Sequence, residues 1–158
     1  MADIVGDGMV KVGWVTTLSS LTSPTATQIT AGVDLEGYLT ADGLDIQESD
    51  EMVDNTALNS TFSTELIGRT TVAATLTFKQ QGLANAPWTT FASRPAGYLV
   101  VRTGVATTTD WAASQVVDVY PCTAGDRNPV AAAANEVAKF SVQLFTTAAP
   151  SKAVTAAS

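Results

Sequence analysis

Apolar and polar residues alternate with a period of two along much of the chain. The alternation is clearest over residues 71–78, and it recurs over 44–47 and 137–145. One set of positions in 71–78 is apolar and the other is mainly threonine: Val72, Ala74, Leu76 and Phe78 against Thr71, Ala73, Thr75 and Thr77. A period of two is typical of a β-strand with one buried face. The 24 threonines of the chain also favour strands, so the sequence predicts a mainly β protein.

Residues 82–93, GLANAPWTTFAS, break this alternation. Apolar residues there recur at spacings of three and four: Ala84, Trp88, Phe91 and Ala92. With Pro87 near its start, the pattern predicts one short helix near 84–93, which ends before Pro95. A single short flanking helix among many strands predicts a β-sandwich or barrel. Residues 21–32, LTSPTATQITAG, are interpreted as a loop that leads to a strand.

The segments 36–48 and 69–80 predict the two strands of a long hairpin. The sequence between them, 49–68, contains few large apolar residues and is interpreted as a long irregular tip. A connection of this length is uncommon in a compact domain unless it has a function, so we expect this projecting hairpin or loop to contact another molecule. The 158 residues predict a single β domain over 1–150, followed by a flexible C-terminal arm over 151–158.

Negative charge is concentrated in the first part of the chain. Residues 42–54 contain six acids and no base, and residues 1–68 contain eleven acids and one base, Lys11. Residues 69–158 contain four acids and seven bases, so the two parts carry −10 and +3, which sum to the net charge of −7. A net charge of this sign argues against ordinary nucleic-acid binding. The division of charge permits head-to-tail association of identical subunits, with ordinary solvated surface charge as the alternative.

The chain offers little for catalysis or metal binding. It has no histidine, which removes the commonest general base and most zinc sites. Cys122 has no histidine partner and is expected to be structural. The acids of 42–54 do not follow the spacing of a calcium-binding loop. We therefore expect no enzyme activity, no catalytic residue, no metal site and no cofactor. The absence of a run of about 18 apolar residues predicts no membrane span.

Three stretches together resemble the major tail protein of phages with long non-contractile tails (siphophages), the subunit of the tail tube. They are SPTATQITAGVDLEGYLTADGL at 23–44, GYLVVRTG at 97–104 and NEVAKFSVQLFTTAAP at 135–150. In the first stretch the resemblance lies in the order of eight residues: Pro24, Thr25, Ile29, Ala31, Gly32, Asp34, Leu35 and Gly43. The resemblance covers most of the chain, apart from residues 49–68.

By this resemblance the chain is expected to be a structural virion protein that is assembled in the host cytoplasm. Such subunits fold as a β-sandwich or barrel with one flanking helix, and six copies form a ring. The rings stack head-to-tail into a tail tube, through which DNA passes without specific binding. The expected partners are further copies of the chain, the tape-measure protein inside the tube, and the tail terminator and tail tip proteins at its ends.

The resemblance also suggests roles for the charged residues. Acids that line the lumen would repel DNA and keep it sliding, because duplex DNA carries one negative charge per roughly 1.7 Å of its axis. The candidate lumen-lining acids are Asp34, Glu36, Asp42 and Asp45. The candidate contacts between stacked rings are acids and bases that would pair across the interface: Glu48, Asp50, Glu51, Asp54, Arg69, Arg94, Arg102 and Arg127.

The alternative is a monomeric β-sandwich binding module, such as a carbohydrate-binding or adhesin-like domain. Threonine-rich faces and the three tryptophans, Trp14, Trp88 and Trp111, would suit that function. It does not explain the division of charge or the long insert between the two strands. A stacked aromatic platform on an exposed face would favour the binding module, whereas a projecting hairpin would favour the tube subunit.

Overall fold

Within the described residues, 1–82 and 85–158, the computed structural model has eight β-strands and two short α-helices. Their bounds, in chain order, are β1 Val10–Val15, α1 Ala26–Thr30, β2 Val33–Asp34, β3 Leu39–Asp54, β4 Glu65–Lys79, α2 Ala86–Thr90, β5 Ala96–Thr103, β6 Val116–Pro129, β7 Lys139–Thr146 and β8 Ser151–Thr155. The predicted mainly β fold with a long projecting hairpin is confirmed.

The strands form one antiparallel sheet in the order β2-β1-β5-β6-β7-β4-β3, and β8 pairs with β6. β6 belongs to two parts of this sheet, because residues 116–119 pair with β8 and residues 122–129 pair with β7. The pairing of β6 with β7 contains a register shift between Ala124 and Arg127, and such irregularities bend a strand. Apolar residues of β1 and β5 share one core with those of β4 and β7, so the sheet folds over on itself.

The core explains the alternation in the sequence. Phe78 of β4 and Phe140 of β7 are almost fully buried, and their stacked rings have centroids 5.3 Å apart. Trp14 of β1 meets Phe91, after α2, edge to face at 5.1 Å. Burial of one such side chain contributes about 1.5–3 kcal/mol to folding. A smaller cluster packs around α1 and the C-terminal residues: Val15, Ile29, Val100, Trp111, Val117, Val119 and Ala156.

The structure contains a second helix in addition to the one that the sequence predicts. α2 lies within the predicted segment and is shorter; residue 84, the predicted start, lies outside the described residues. α1 lies within 21–32, which the sequence pattern predicts as a loop. Thr25 caps α1, because its Oγ1 accepts a hydrogen bond from the Gln28 amide at 3.3 Å. A helix of five residues with one buried residue, Ile29, leaves no periodicity for a sequence pattern to detect.

β3 and β4 form a hairpin that stays regular for longer than the sequence predicts. The strands remain paired until Asp54 lies opposite Glu65, so only residues 55–64 form the tip. The prediction of an irregular segment over 49–68 is therefore wrong. Hydrogen bonds between two backbones do not require a buried face, so the apolar pattern did not mark these exposed strands.

The C-terminal residues, which the sequence predicts as a flexible arm, form β8 and then continue along the body. The Ala156 amide donates a hydrogen bond to the Gln115 carbonyl at 2.8 Å, and the Ala157 amide donates to the Pro24 carbonyl at 2.8 Å. Ala156 is buried in the smaller cluster. These contacts join the C terminus to the loop before α1 and to the loop before β6.

Candidate interaction surfaces

The β3–β4 hairpin reaches beyond the core. We call residues 49–71 the extension; every residue in it except Thr56 is exposed. Its tip is held by its own hydrogen bonds, since the Thr56 amide donates to Asp54 Oδ1 at 2.8 Å and the Thr64 amide donates to Thr56 Oγ1 at 2.9 Å. Hydrogen bonds from the Thr56 hydroxyl and amide lower the pKa of Asp54 from its ordinary value. The tip therefore has hydrogen bonds of its own within the chain.

Large apolar side chains lie exposed on both faces of the extension. Met52 lies opposite Ile67, and Val53 lies opposite Leu66. Their exposed fractions range from 49% to 78%, so about half or more of each residue is in contact with water. The tip adds two further exposed apolar residues: Leu58 and Phe62. Because successive residues of a strand point to opposite faces, each face of the extension carries one of these pairs. Exposed apolar residues grouped in this way are typical of a surface that another molecule covers.

The sequence interpretation did not single out these apolar pairs as candidates for a contact. It treated 49–68 as poor in large apolar residues, and it therefore assigned the contact to charge. A signal was present, because 52–53 and 66–67 are equally distant from the middle of the hairpin tip. Two apolar dipeptides placed symmetrically about a turn are expected to face each other in an antiparallel pair.

The charged residues of the extension are mostly acids. Asp50 accepts a hydrogen bond from Thr70 Oγ1 at 2.6 Å, whereas Glu51 is exposed. Arg69 is the single base of the extension. It lies at a register shift between the pairs Asp50–Thr70 and Met52–Ile67. In this interval one residue of β3, Glu51, lies opposite two residues of β4, Gly68 and Arg69. A bulge of this type changes the direction of a side chain relative to the regular alternation.

Two of the predicted lumen acids, Asp34 and Glu36, belong to a partly buried ionic network. Lys11 Nζ lies 3.3 Å from Asp34 Oδ2 and 3.7 Å from Glu36 Oε1. The Trp111 Nε1–H donates to Asp34 Oδ1 at 2.8 Å, and Lys11 also lies over the Trp111 ring. Lys11 is only 5% exposed, so these acids compensate a buried base within the chain.

Arg102 is fully buried, and its predicted role in a ring contact is wrong for that reason. Its guanidinium donates to Gln115 Oε1 at 2.8 Å and lies 5.1 Å from the centre of the Trp111 ring. It also donates to three backbone carbonyls at 2.9–3.1 Å: those of Ala106, Thr109 and Asp110. The side chain therefore organises the loop between β5 and β6.

Two other predicted ring-contact bases also have partners within the chain. Arg94 donates from Nε and Nη2 to the two carboxylate oxygens of Asp126 at 2.6 Å and 2.5 Å. Arg127 Nη1 donates to the Trp88 carbonyl at 2.7 Å, and its guanidinium lies 4.0 Å from the centre of the Trp88 ring. Of the four predicted bases, only Arg69 makes neither an ion pair nor a side-chain hydrogen bond within the described residues.

The face of β3, β4 and β7 that points away from the core is rich in hydroxyl and amide groups. Its residues alternate with the core residues: Asp45, Gln47, Thr71, Thr75, Thr77, Ser141 and Gln143. We call this the open face. Asp45 Oδ1 accepts a hydrogen bond from Gln47 Nε2 at 3.2 Å, and Asp42 accepts one from Thr40 Oγ1 at 3.0 Å near the start of β3. Two lysines lie opposite each other at one end of the sheet: Lys79 and Lys139.

Other features give no support to catalysis or to carbohydrate binding. Within residues 1–82 and 85–158, no group of three or more His, Cys, Asp or Glu residues is placed to hold a metal ion. Burial raises the pKa of Cys122 to about 12, so the thiol stays protonated at neutral pH. Trp14 and Trp111 are buried, and Trp88 packs edge to face on Phe140 at 5.0 Å.

In the part of the chain that the structure describes, no helix has the length and apolar character to cross a membrane.

Comparison with solved structures shows that the fold recurs at low sequence identity. A chain of the cryo-EM structure of the anti-feeding prophage (AFP) baseplate, 6-fold symmetrised, is 7% identical, with a TM-score of 0.60 over 97% of this chain and 99% of that chain. A chain from the virion of the native gene transfer agent (GTA) particle is 14% identical, with a TM-score of 0.57 over 94% of this chain and 97% of that chain. A chain from the tail of the empty GTA particle, refined with helical and C6 symmetry, is 16% identical, with a TM-score of 0.55 over 96% of this chain and 98% of that chain.

Comparison of sequences gives the family. No curated protein matches the chain. The family model for the phage tail tube protein matches residues 1–158, which is the whole sequence. This match agrees with the mainly β fold, the projecting hairpin and the resemblance seen in the sequence. The chain therefore belongs to the phage tail tube protein family and is a structural component of the virion tail.

Proposed function

We propose that six copies of the chain form a ring and that the rings stack head-to-tail into a tube through which DNA passes. The observation that carries this proposal is the extension, an ordered hairpin with an exposed apolar pair on each face. A two-stranded hairpin is marginally stable alone, and covering both faces with neighbouring subunits would stabilise it. Two of the similar structures have 6-fold or C6 symmetry, which supports six copies in each ring.

Apolar burial is the main source of stacking energy in this proposal. Three of the four bases predicted for the ring interface, Arg94, Arg102 and Arg127, have partners in their own chain. Full burial of one large apolar side chain contributes about 1.5–3 kcal/mol, whereas an exposed ion pair contributes roughly 0–1 kcal/mol. The contact is repeated around each ring, so modest energies for each subunit combine into a stable stack.

The open face lines the lumen in this proposal. One face of β3, β4 and β7 is used by the core, and the other presents hydroxyl and amide groups to solvent. Hydroxyl and amide groups hold phosphate weakly compared with Lys or Arg, and the carboxylate of Asp45 repels it. Lys79 and Lys139 lie at one end of this face, where Lys139 pairs with Glu136. Asp42 is exposed near the start of β3 and is a further candidate. Asp34 and Glu36 contribute less than the sequence suggests, because the single base Lys11 offsets one of their two negative charges.

A tube built in this way leaves uncovered surfaces at its two ends. One end presents extensions and the other presents the surface that would receive them. Tail terminator and tail tip proteins are the proposed partners at these ends, and a tape-measure protein is the proposed occupant of the lumen before DNA. The monomeric binding module is not favoured, because Trp14 and Trp111 are buried and form no exposed aromatic platform.

Electron microscopy of the purified protein at high concentration tests this function. The wild-type chain is expected to form hollow tubes of uniform width with six-fold rotational symmetry. A variant with Met52→Ser and Ile67→Ser removes one apolar pair outside the core, so it should fold normally and remain unassembled. Val137→Ser is the matched control, because Val137 is also exposed but lies outside the extension. Wild-type protein that stays monomeric even when preformed tails are added as seeds would contradict the proposal.

A further inference from the structure

An open cavity of about 330 Å³ lies between the beginning of β1 and the beginning of β3. Its apolar walls include Val10 and Val12 of β1 and Leu39 and Leu44 of β3. Two acids also line it: Asp7 and Glu36. Glu36 Oε1 lies 3.7 Å from Lys11 Nζ, but Glu36 Oε2 is buried without a hydrogen-bond partner in the described chain. A buried carboxylate oxygen without a partner is costly, and a cationic donor that entered the cavity would relieve this cost.

The chain carries a cation that fits this description. Arg69 is exposed, and within the described residues it makes neither an ion pair nor a side-chain hydrogen bond. The bulge in β4 sets its direction, and Ile67 and Met52 lie beside it on the extension. A guanidinium donor suits a carboxylate in a partly apolar cavity, since it is weakly hydrated and binds two oxygens at once.

Arg69 cannot reach the cavity of its own chain. The cavity wall includes Leu44, whereas Arg69 lies beside Glu51, seven residues further along β3. At a rise of about 3.4 Å per residue, this separation is about 24 Å, which is far longer than one side chain. The base and the acids therefore lie towards opposite ends of the hairpin. A contact between them must join two copies.

We propose that Arg69 of one copy enters the cavity between β1 and β3 of a second copy, where it pairs with Glu36 and Asp7. The apolar residues beside Arg69 on the extension then cover the rim of the cavity near Leu39 and Leu44. Because the two surfaces differ and lie at opposite ends of the hairpin, the contact is heterologous and repeats without closing, as the growth of a tube requires. This inference rests on the proposed head-to-tail stacking and identifies the surface that receives the extension.

Disulfide cross-linking between variants that each carry one added cysteine tests the contact directly. Gly6→Cys places a thiol at the cavity, where an added Cβ meets no neighbouring atom, and Thr71→Cys places one on the extension close to Arg69. The native Cys122 is buried and does not interfere. Under oxidation, a mixture of the two variants should form intermolecular dimers. A mixture of Gly6→Cys with Thr108→Cys, an exposed position on another loop, should not.

The outcomes separate this inference from the proposed function. Dimers of the first mixture alone, in tubes or in solution, support the contact. If the wild-type chain forms tubes but the mixture of Gly6→Cys and Thr71→Cys forms no dimers, the proposed contact is wrong and the proposed tube is unaffected. If the wild-type chain forms no tubes and the mixture forms no dimers, both proposals are wrong.

A charge exchange tests the ion pair itself. Arg69→Asp should raise the protein concentration required for tube formation more than about tenfold, because it removes one partner of a desolvated pair. Adding Asp7→Arg to this variant should restore assembly, since the two charges are then exchanged. Asp3→Arg, in the same exposed N-terminal segment, is the matched control and should not restore it. Equal restoration by both substitutions, or by neither, would overturn the pairing.

Discussion

Lys152 in β8 forms an ion pair with Glu48 in β3, although 104 residues separate them in the chain. Glu48 is the last residue of β3 before the extension begins. The ion pair therefore connects β8 to the part of β3 where the extension begins. No local sequence pattern predicts this contact. The hydrogen bond to Glu48 is the main cause that raises the pKa of Lys152 above its ordinary value of 10.5.

Substitution of Lys152 should have a small effect that depends on pH. Lys152→Met is expected to lower the urea midpoint slightly at neutral pH, because solvent screens an exposed pair. A raised pKa contributes stability that is fully present below the ordinary lysine value and is lost as pH rises through the raised value. Urea unfolding of both proteins at about pH 8 and about pH 12 checks this, since the difference should vanish at the higher pH. Lys79→Met is the control, because Lys79 has no ion pair in the described chain, and a difference that persists at high pH would contradict the linkage.

Substitution of Arg102 should be far more damaging. Arg102→Met leaves the carbonyls of Ala106, Thr109 and Asp110 without their donor inside the protein. Removal of one partner from a buried charged network typically costs about 3–5 kcal/mol, so we expect a loss of this size in the free energy of unfolding. Denaturant unfolding measures it. Arg94→Met, which removes an exposed arginine, is the control and should lose much less; equal losses would mean that burial does not determine the effect.

The Arg94–Asp126 pair predicts a second dependence on pH, in the acidic range. The hydrogen bond from Arg94 lowers the pKa of Asp126 below its ordinary value of 3.8. A lowered pKa contributes stability that is present above the ordinary value and is lost as pH falls through the lowered value. The stability difference between wild type and Asp126→Asn should therefore be constant near neutral pH and disappear in acid. NMR titration of the Asp126 carboxyl should give a midpoint below 3.8, and Arg94→Gln should return that midpoint to the ordinary value.

Gly43 should be intolerant of any side chain. An added Cβ would lie 2.3 Å from the Thr77 carbonyl oxygen, which belongs to the paired strand and cannot move independently. Gly43→Ala is expected to lower the free energy of unfolding by about 1–3 kcal/mol, as overpacking does. Gly37→Ala provides the control, because an added Cβ there meets nothing within 4 Å. Thermal unfolding of the two variants measures the difference, and similar melting temperatures would contradict the close contact at Gly43.

The sequence predicted those features that depend on burial, and it failed where burial does not decide the structure. The faces of β4 and β7 follow directly from the alternation that includes Phe78 and Phe140, since one face of each strand is in the core. The outer half of the hairpin has no buried face, so its strands show no alternation of apolar and polar residues, and the only signal is the symmetric placement of 52–53 and 66–67. Arg102 appeared as one more surface base, because a single sequence does not show that loop carbonyls will surround it. Partners distant in sequence, such as Lys152 and Glu48, become neighbours only through the topology of the sheet.

The final prediction concerns passage of DNA through the proposed lumen. Asp45 lies on the open face and outside the core, so Asp45→Lys should leave both folding and tube formation unchanged. In a ring, each copy would then present an ammonium group to the phosphates, and DNA release from particles should slow. Because binding to phosphate weakens steeply as salt rises, the delay should be largest at low ionic strength and shrink as salt is added. Asp3→Lys, which makes the same change of charge away from the open face, is the matched control. Normal release from Asp45→Lys particles at low salt would show that Asp45 does not face the lumen.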